Sequence, residues 1–368
     1  MFWKKKELLS DLRIFLGVIV TLIIIGMIFI YSASSVFALE QFGSANYFVK
    51  KQVLGLFLGL CGLIAARLIP LEIVKKLAPF IFLITLGVTA LTLFPYFTHT
   101  VHGSSRWIRI GWITFQPSEF LKIALLVYLA YFLTQKKQTI NAIVHTFLPF
   151  LIILGLPCFV LLKQPDFGLI ITLVLTSFML LFITHINIKR LFIMLGSFVP
   201  LVFFLIYWWP YRLKRIATFL NPWQDPQGSG FQIIQSLIAI GSGSFWGAGI
   251  SNSKQKFFYL PMQHTDFIFS IIAEETGLIG SLLLVMLYLL FLYFGLRIVW
   301  QLTDHFSMLA TAGFVLLISL QALINIAVTT ALLPTKGMGL PFVSYGNSAL
   351  IANLCMVGLI INMVSEDR

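Results

Sequence analysis

Three carboxylates, Asp266, Glu274 and Glu275, stand inside FFYLPMQHTDFIFSIIAEETG, Phe257 to Gly277, at the entrance and first turns of an apolar helix. A carboxylate at the centre of a membrane helix costs roughly 2.5 to 3.5 kcal/mol on insertion scales, so such groups face a protein interior or a wet cavity. Pro261 stops any preceding helix, and HTDF then offers Thr265 or Asp266 as an N-terminal cap, which is the plain structural role for the aspartate. Its chemical role would be different: at the aqueous mouth of a helix, Asp266 can take a proton from an incoming hydroxyl. Glu274 lies about 80° around the helix and about 12 Å deeper, where it needs a partner, while Glu275 points to the opposite side. The reading is therefore general base for Asp266 and structural pairing for Glu274. His264 has no second histidine at helical spacing, so a loop histidine bonded to nearby backbone fits better than a metal ligand.

Two further segments pass from polar to apolar. GSSRWIRIGWITFQPSEFLKIAL, Gly103 to Leu125, is a basic, tryptophan-bearing loop, followed by QPSE at the start of a helix. Glu119 and Lys122 share a helical face and can pair, either within the bundle or along a polar cavity. Arg106 and Trp107 suit an interfacial belt as well as a site. In KQPDFG, Asp166 reads as the cap of the next helix, a structural role. LLPTKGMGLPFVSYGNSA, Leu332 to Ala349, has the proline and glycine content of broken backbone beside a binding cavity, with Lys336 as its one charge and Ser344, Tyr345 and Asn347 as polar contacts.

The elements that position these residues are hydrophobic runs. With 59% hydrophobic and 10% charged residues over 368 positions, the chain is an integral membrane protein. Long apolar runs, not alternating strands, make it an all-α polytopic helical bundle. Spans are expected near 12–34, 50–70, 77–96, 116–134, 143–162, 167–185, 190–209, 266–299, 306–331 and 342–364, about ten transmembrane helices in one domain covering 1–368. A large outer loop, about 210–265, separates helices 7 and 8; its FQIIQSLIAI stretch lies along the interface, re-enters or packs on the bundle. The even count and the basic N-terminus, Lys4, Lys5, Lys6 and Arg13, put both termini in the cytoplasm. Lys50, Lys51, Arg106, Arg109, Arg212, Lys214, Arg215, Lys254, Lys256 and Lys336 then fall outside, so the +12 net charge is not an ordinary orientation signal. The chain's Lys and Arg residues sit in loops between apolar spans, which excludes a nucleic-acid partner and suits membrane lipid or an anionic ligand. Cys61, Cys158 and Cys355 are dispersed in apolar runs and form no disulfide or metal framework.

QPSEFLKIAL, QPDFG, GFQIIQSLIAIGSG, LPMQHTDFIFSIIAEETG and LPTKGMGLPFVSYG together resemble, in order from Gln116 to the C-terminus, the motifs of the SEDS family of RodA and FtsW proteins. The last block is closer to the FtsW type. The resemblance implies a bacterial peptidoglycan glycosyltransferase of the cytoplasmic membrane that polymerises lipid II at the outer face. It also implies partnership with a class B penicillin-binding transpeptidase and other division or elongation proteins. Asp266 matches the family's essential aspartate, Trp107 an important tryptophan, Glu119 and Lys122 a polar pair in the central cavity, and Glu274 the glutamate that follows. Met262, Asn347 and Thr276 depart from the family's usual Glu, Gly and Leu. An α-linked donor and a β-1,4 product imply one inverting displacement, with Asp266 as base for the acceptor 4-hydroxyl and Lys51, Arg106, Lys336 or a divalent cation (Mg or Mn) neutralising the departing diphosphate. Two rival readings use the same polarity: a lipid-linked precursor flippase or transporter, and a division scaffold for which Asp266 is dispensable.

Overall fold

The computed structural model describes the chain apart from residues 1, 97, 102–103, 111–112, 137–141, 185, 191–195, 197–214, 216, 257–260 and 368. Its helices are α1 (Phe2–Phe42), α2 (Tyr47–Leu68), α3 (Leu71–Leu91), α4 (Pro117–Gln135), α5 (Leu148–Lys163), α6 (Phe167–Ile183), α7 (Phe231–Ser242), α8 (Ile268–Gln301), α9 (His305–Thr329) and α10 (Asn347–Glu366). All but α6 and α7 are long and apolar enough to cross a membrane, α5 when counted from His145 in the π turn that leads into it, which makes the chain a multi-pass membrane helical bundle. Each expected span has its helix except 190–209, which lies outside the described residues apart from Arg190 and Gly196.

The segment before α4 is not the loop expected from sequence. It folds into three antiparallel strands, β1 (Thr98–Val101), β2 (Ser104–Ile110) and β3 (Ile113–Phe115), with β2 central and Ile108 opposite both Thr98 and Phe115. Threonine, isoleucine and aromatic residues suit such a half-buried pleat, and basic residues along β2 hide that pattern in a hydropathy reading. Within the expected outer loop, α7 packs on the bundle: Ser236 donates to the Thr329 carbonyl of α9 (2.6 Å) and lies 2.6 Å from Ser270 of α8.

Lipid gives helices no hydrophobic reason to associate, so close approach of small residues does much of the work. Gly55, Gly59 and Gly62 turn one face of α2 to α10, where an added Cβ would come within 2.7 Å of Asn347 or Cys355 and 2.5 Å of Leu354. At one end of the bundle, Asp11 pairs with Arg297 at 3.1 Å and accepts from Gln301. There too Thr303 N–H donates to Asp367 and Leu71 N–H to Glu366, so both chain termini lie at that end.

α8 is two helical pieces joined at Gly277, whose φ of 67° and ψ of −162° are open to glycine alone. The freed carbonyls and amides are taken up by the preceding loop: Ala248 N–H donates to Glu274 O, Gly249 N–H to Glu275 O and Leu278 N–H to Ser244 O. Backbone is tolerated in such a setting only when protein replaces the missing helical bonds.

Candidate active site

Four segments meet at the end of the bundle opposite the termini: β2, the turn between α5 and α6, the turn 261–267 before α8, and the loop 331–346 before α10. They enclose a cavity of about 1040 Å³. Gln164 fixes the first turn to α3, donating to Thr89 O at 2.9 Å and to Thr92 Oγ1. On that turn rests Arg106, whose guanidinium donates to Gln164 O (3.3 Å) and Pro165 O (2.6 Å) and stands 3.6 Å from Asp166 Oδ2. Asp166 does cap α6, accepting from Leu169 N–H, as its sequence position predicts. It is also part of the cavity wall, which the structural reading missed.

Asp266 is not a cap. The α8 N-cap is Phe267, with no side-chain capping bond, and Thr265 Oγ1 turns back to Met262 O. The aspartate's carboxyl is thus left to face the cavity. A Cβ built on Gly337 would lie 3.6 Å from both Asp266 Oδ2 and Arg106 Nη1, so carboxyl and guanidinium both border the open side of this glycine. Burial pushes the Asp266 carboxyl up to about 7; Arg106 lowers it, Asp166 raises it and Arg215 lowers it.

The backbone of this turn is held at three successive carbonyls. His264 O accepts from Tyr345 N–H (3.0 Å), Thr265 O from the Ser344 hydroxyl (2.5 Å) and Asp266 O from the Asn325 carboxamide (2.8 Å). Ser344, expected to touch substrate, lines the cavity, yet its hydroxyl is committed to Thr265 O and to Leu340 N–H. The His264 ring does not bond backbone through Nδ1, which is buried without a partner. It packs instead against Phe48, centroids 4.4 Å apart, with Phe37 and Tyr345 nearby, and burial holds it down at about 4.

Deeper in the cavity, Lys122 and Glu119 pair at 2.6 Å, and Lys122 donates to Gln321 of α9 and Asn353 of α10, each at 3.4 Å. The pair is therefore both an ion pair and part of the lining. Trp107, Lys336 and Arg215 complete the wall; burial lowers Lys336 to about 8, and Arg215 donates to Thr335 O. Arg212 and Lys214 lie outside the described residues.

Lys51 and the two glutamates are elsewhere. Lys51 Nζ donates to Tyr47 Oη (2.7 Å) and sits over that ring, away from the cavity lining. Glu274 accepts from Ser253 Oγ and Lys254 N–H. Glu275, expected on an opposite face, accepts from Ser32 and Ser253 N–H and pairs with Lys256 at 3.7 Å. Both carboxylates thus grip the segment 253–256, because that segment folds back over the break in α8. No sequence spacing announces such a return.

The whole chain can be compared with known proteins. A family model described as "Cell cycle protein", FTSW_RODA_SPOVE, matches residues 12–368. The probable peptidoglycan glycosyltransferase FtsW of Geobacter sp. (strain M18) is 40% identical over 343 residues, 93% of this chain and 94% of that one. Stage V sporulation protein E of Bacillus subtilis (strain 168) is 38% identical over 358 residues, 95% and 96% of the two chains. A solved chain of a peptidoglycan synthase complex superposes with a TM-score of 0.79 at 27% identity, covering 96% of this chain and 97% of that one. The crystal structure of the rod shape determining protein RodA of Thermus thermophilus shares the fold, with a TM-score of 0.69 at 23% identity and 96% of each chain covered. With its sequence matched over nearly its full length and its bundle superposing on those of relatives, the chain belongs to the FtsW, RodA and SpoVE family of cell cycle proteins.

Proposed function

We infer that this chain is a peptidoglycan glycosyltransferase that extends β-1,4-linked glycan strands from lipid II, with Asp266 as the general base. The observation that carries the assignment is the uncapped Asp266 carboxyl, aimed into the cavity across Gly337 from Arg106. A base must be free of other duties and poised near the working pH: Asp266 caps no helix, and burial raises its carboxyl to about 7. In the reaction Asp266 accepts the proton of the acceptor sugar's 4-hydroxyl as that oxygen attacks the donor's anomeric carbon. The bond to undecaprenyl diphosphate breaks on the opposite side, so configuration inverts. The leaving diphosphate carries the electron pair, and Arg106, Arg215 and Lys336 are the wall cations suited to stabilise it. Trp107 offers a flat apolar face for a sugar ring.

The described side chains do not by themselves form a closed site for a resident divalent cation. Among the described residues no three His, Cys, Asp or Glu side chains converge as ligands, and Asp166 and Glu119 already face Arg106 and Lys122. No step above is routed through a metal. The site opens on the outer face of the cytoplasmic membrane, with both termini cytoplasmic, and the chain works beside a class B penicillin-binding transpeptidase; the relative in a peptidoglycan synthase complex supports that partnership. Purified chain with its transpeptidase, given lipid II in detergent, should release polymer whose new linkages are all β. Bound lipid II that never becomes polymer would favour a transporter instead.

A further inference from the structure

Asn325 on α9 is buried, 2% exposed, and its carboxamide spans two segments of the site. One N–H of Nδ2 is directed to Asp266 O at 2.8 Å and the other to Met338 O at 2.7 Å. The amide has only two hydrogens, so both are used, and its Oδ1 is buried without a partner. Met338 belongs to the loop that carries Lys336 and Gly337, and the open side of Gly337 borders both Asp266 and Arg106. A single side chain on a packed helix therefore ties the turn bearing the base to the loop bearing the cation.

We propose that Asn325 is a positioning residue that sets the distance between Asp266 and the Lys336 loop, and so aligns the base with the departing diphosphate. This rests on the general-base reading of Asp266. The other carbonyls of the turn are held by Tyr345 N–H and the Ser344 hydroxyl, both from the loop 331–346. Those bonds would let turn and loop move together. Asn325 alone of the three donors stands on a membrane helix, and it anchors the pair to the bundle. Polar bonds of this kind matter in a site because a misplacement of about 1 Å costs on the order of 100-fold in rate.

The test is Asn325→Leu, which keeps the branched four-atom skeleton, is bulkier and offers no donor, beside Asn325→Gln, which keeps the donor, and Asp266→Asn. Each is purified with the transpeptidase and assayed on lipid II across pH, with thermal unfolding in detergent measured in parallel. The expected result is a kcat for Asn325→Leu about 10- to 100-fold below wild type, with KM within about twofold, an acid limb displaced from its wild-type midpoint, and partial recovery in Asn325→Gln. Wild-type kcat in Asn325→Leu, or a loss that tracks unfolded protein with the acid limb unmoved, would overturn the proposal. Asp266→Asn separates the two claims. If it is inactive while Asn325→Leu is unimpaired, only the positioning role fails; if it polymerises at the wild-type rate, the base assignment fails and the positioning role with it.

Discussion

Arg106 Nη1 stands 3.6 Å from Asp166 Oδ2, on the turn that closes one side of the cavity, and the same guanidinium faces Asp266 across Gly337. One cation thus answers to two carboxyls. Asp166 holds it in place, together with the carbonyls of Gln164 and Pro165, and Asp266 feels its charge without contact. In the proposed mechanism this leaves Asp266 without a direct ion pair to the cation assigned to the leaving diphosphate.

The pH profile should report this triangle. As the proposed general base, Asp266 must be deprotonated to act, so polymerisation should rise with pH through a midpoint near 7. Arg106 lowers that midpoint, and Arg106→Ala should therefore move the acid limb to higher pH; Asp166 raises it, and Asp166→Asn should move the limb to lower pH. Rates of strand extension from pH 5 to 9 decide the signs. Shifts in the opposite directions would contradict the geometry.

The Glu119–Lys122 pair should matter to folding as well as to activity. Lys122 is 1% exposed, and deleting one member of a buried ion pair strands the other charge at a cost of about 3 to 5 kcal/mol. Glu119→Ala should lower the thermal midpoint in detergent markedly. The double variant Glu119→Gln with Lys122→Met should recover most of the loss, which a thermal-shift series measures.

Gly277 should tolerate no side chain. A Cβ there would come 2.4 Å from Gly247 N and 2.6 Å from Phe245 O, backbone atoms that cannot rotate away. Gly277→Ala should destabilise by at least about 1 to 3 kcal/mol and weaken the splice between the loop 244–249 and α8. Hydrogen exchange at Ala248, Gly249 and Leu278, compared between the two proteins, locates the damage.

Much of this molecule can be read from its residues, and the limits are physical. Apolar runs announce the helices because lipid demands them, and Glu119 with Lys122 is visible because i and i+3 share a face. Asp166 was seen as a cap and is one, but its second role depends on Arg106, 60 positions earlier on a strand that charge had disguised. Arg215 and Asn325 join the site through partners far away in sequence, Thr335 O for the first and Asp266 O with Met338 O for the second, while Lys51 bonds Tyr47 one helical turn away. Glu274 and Glu275 are separated by 100° on an ideal helix, yet both meet the segment 253–256, because the chain doubles back at a break that one glycine makes possible.

The proposed mechanism gives the proton transfer to Asp266. Asp266→Asn keeps the shape of the side chain and removes its basicity, so the rate of lipid II polymerisation by the purified complex measures that role alone. A fall of about 100- to 10,000-fold with lipid II binding retained is the predicted result. Polymerisation at the wild-type rate would contradict it.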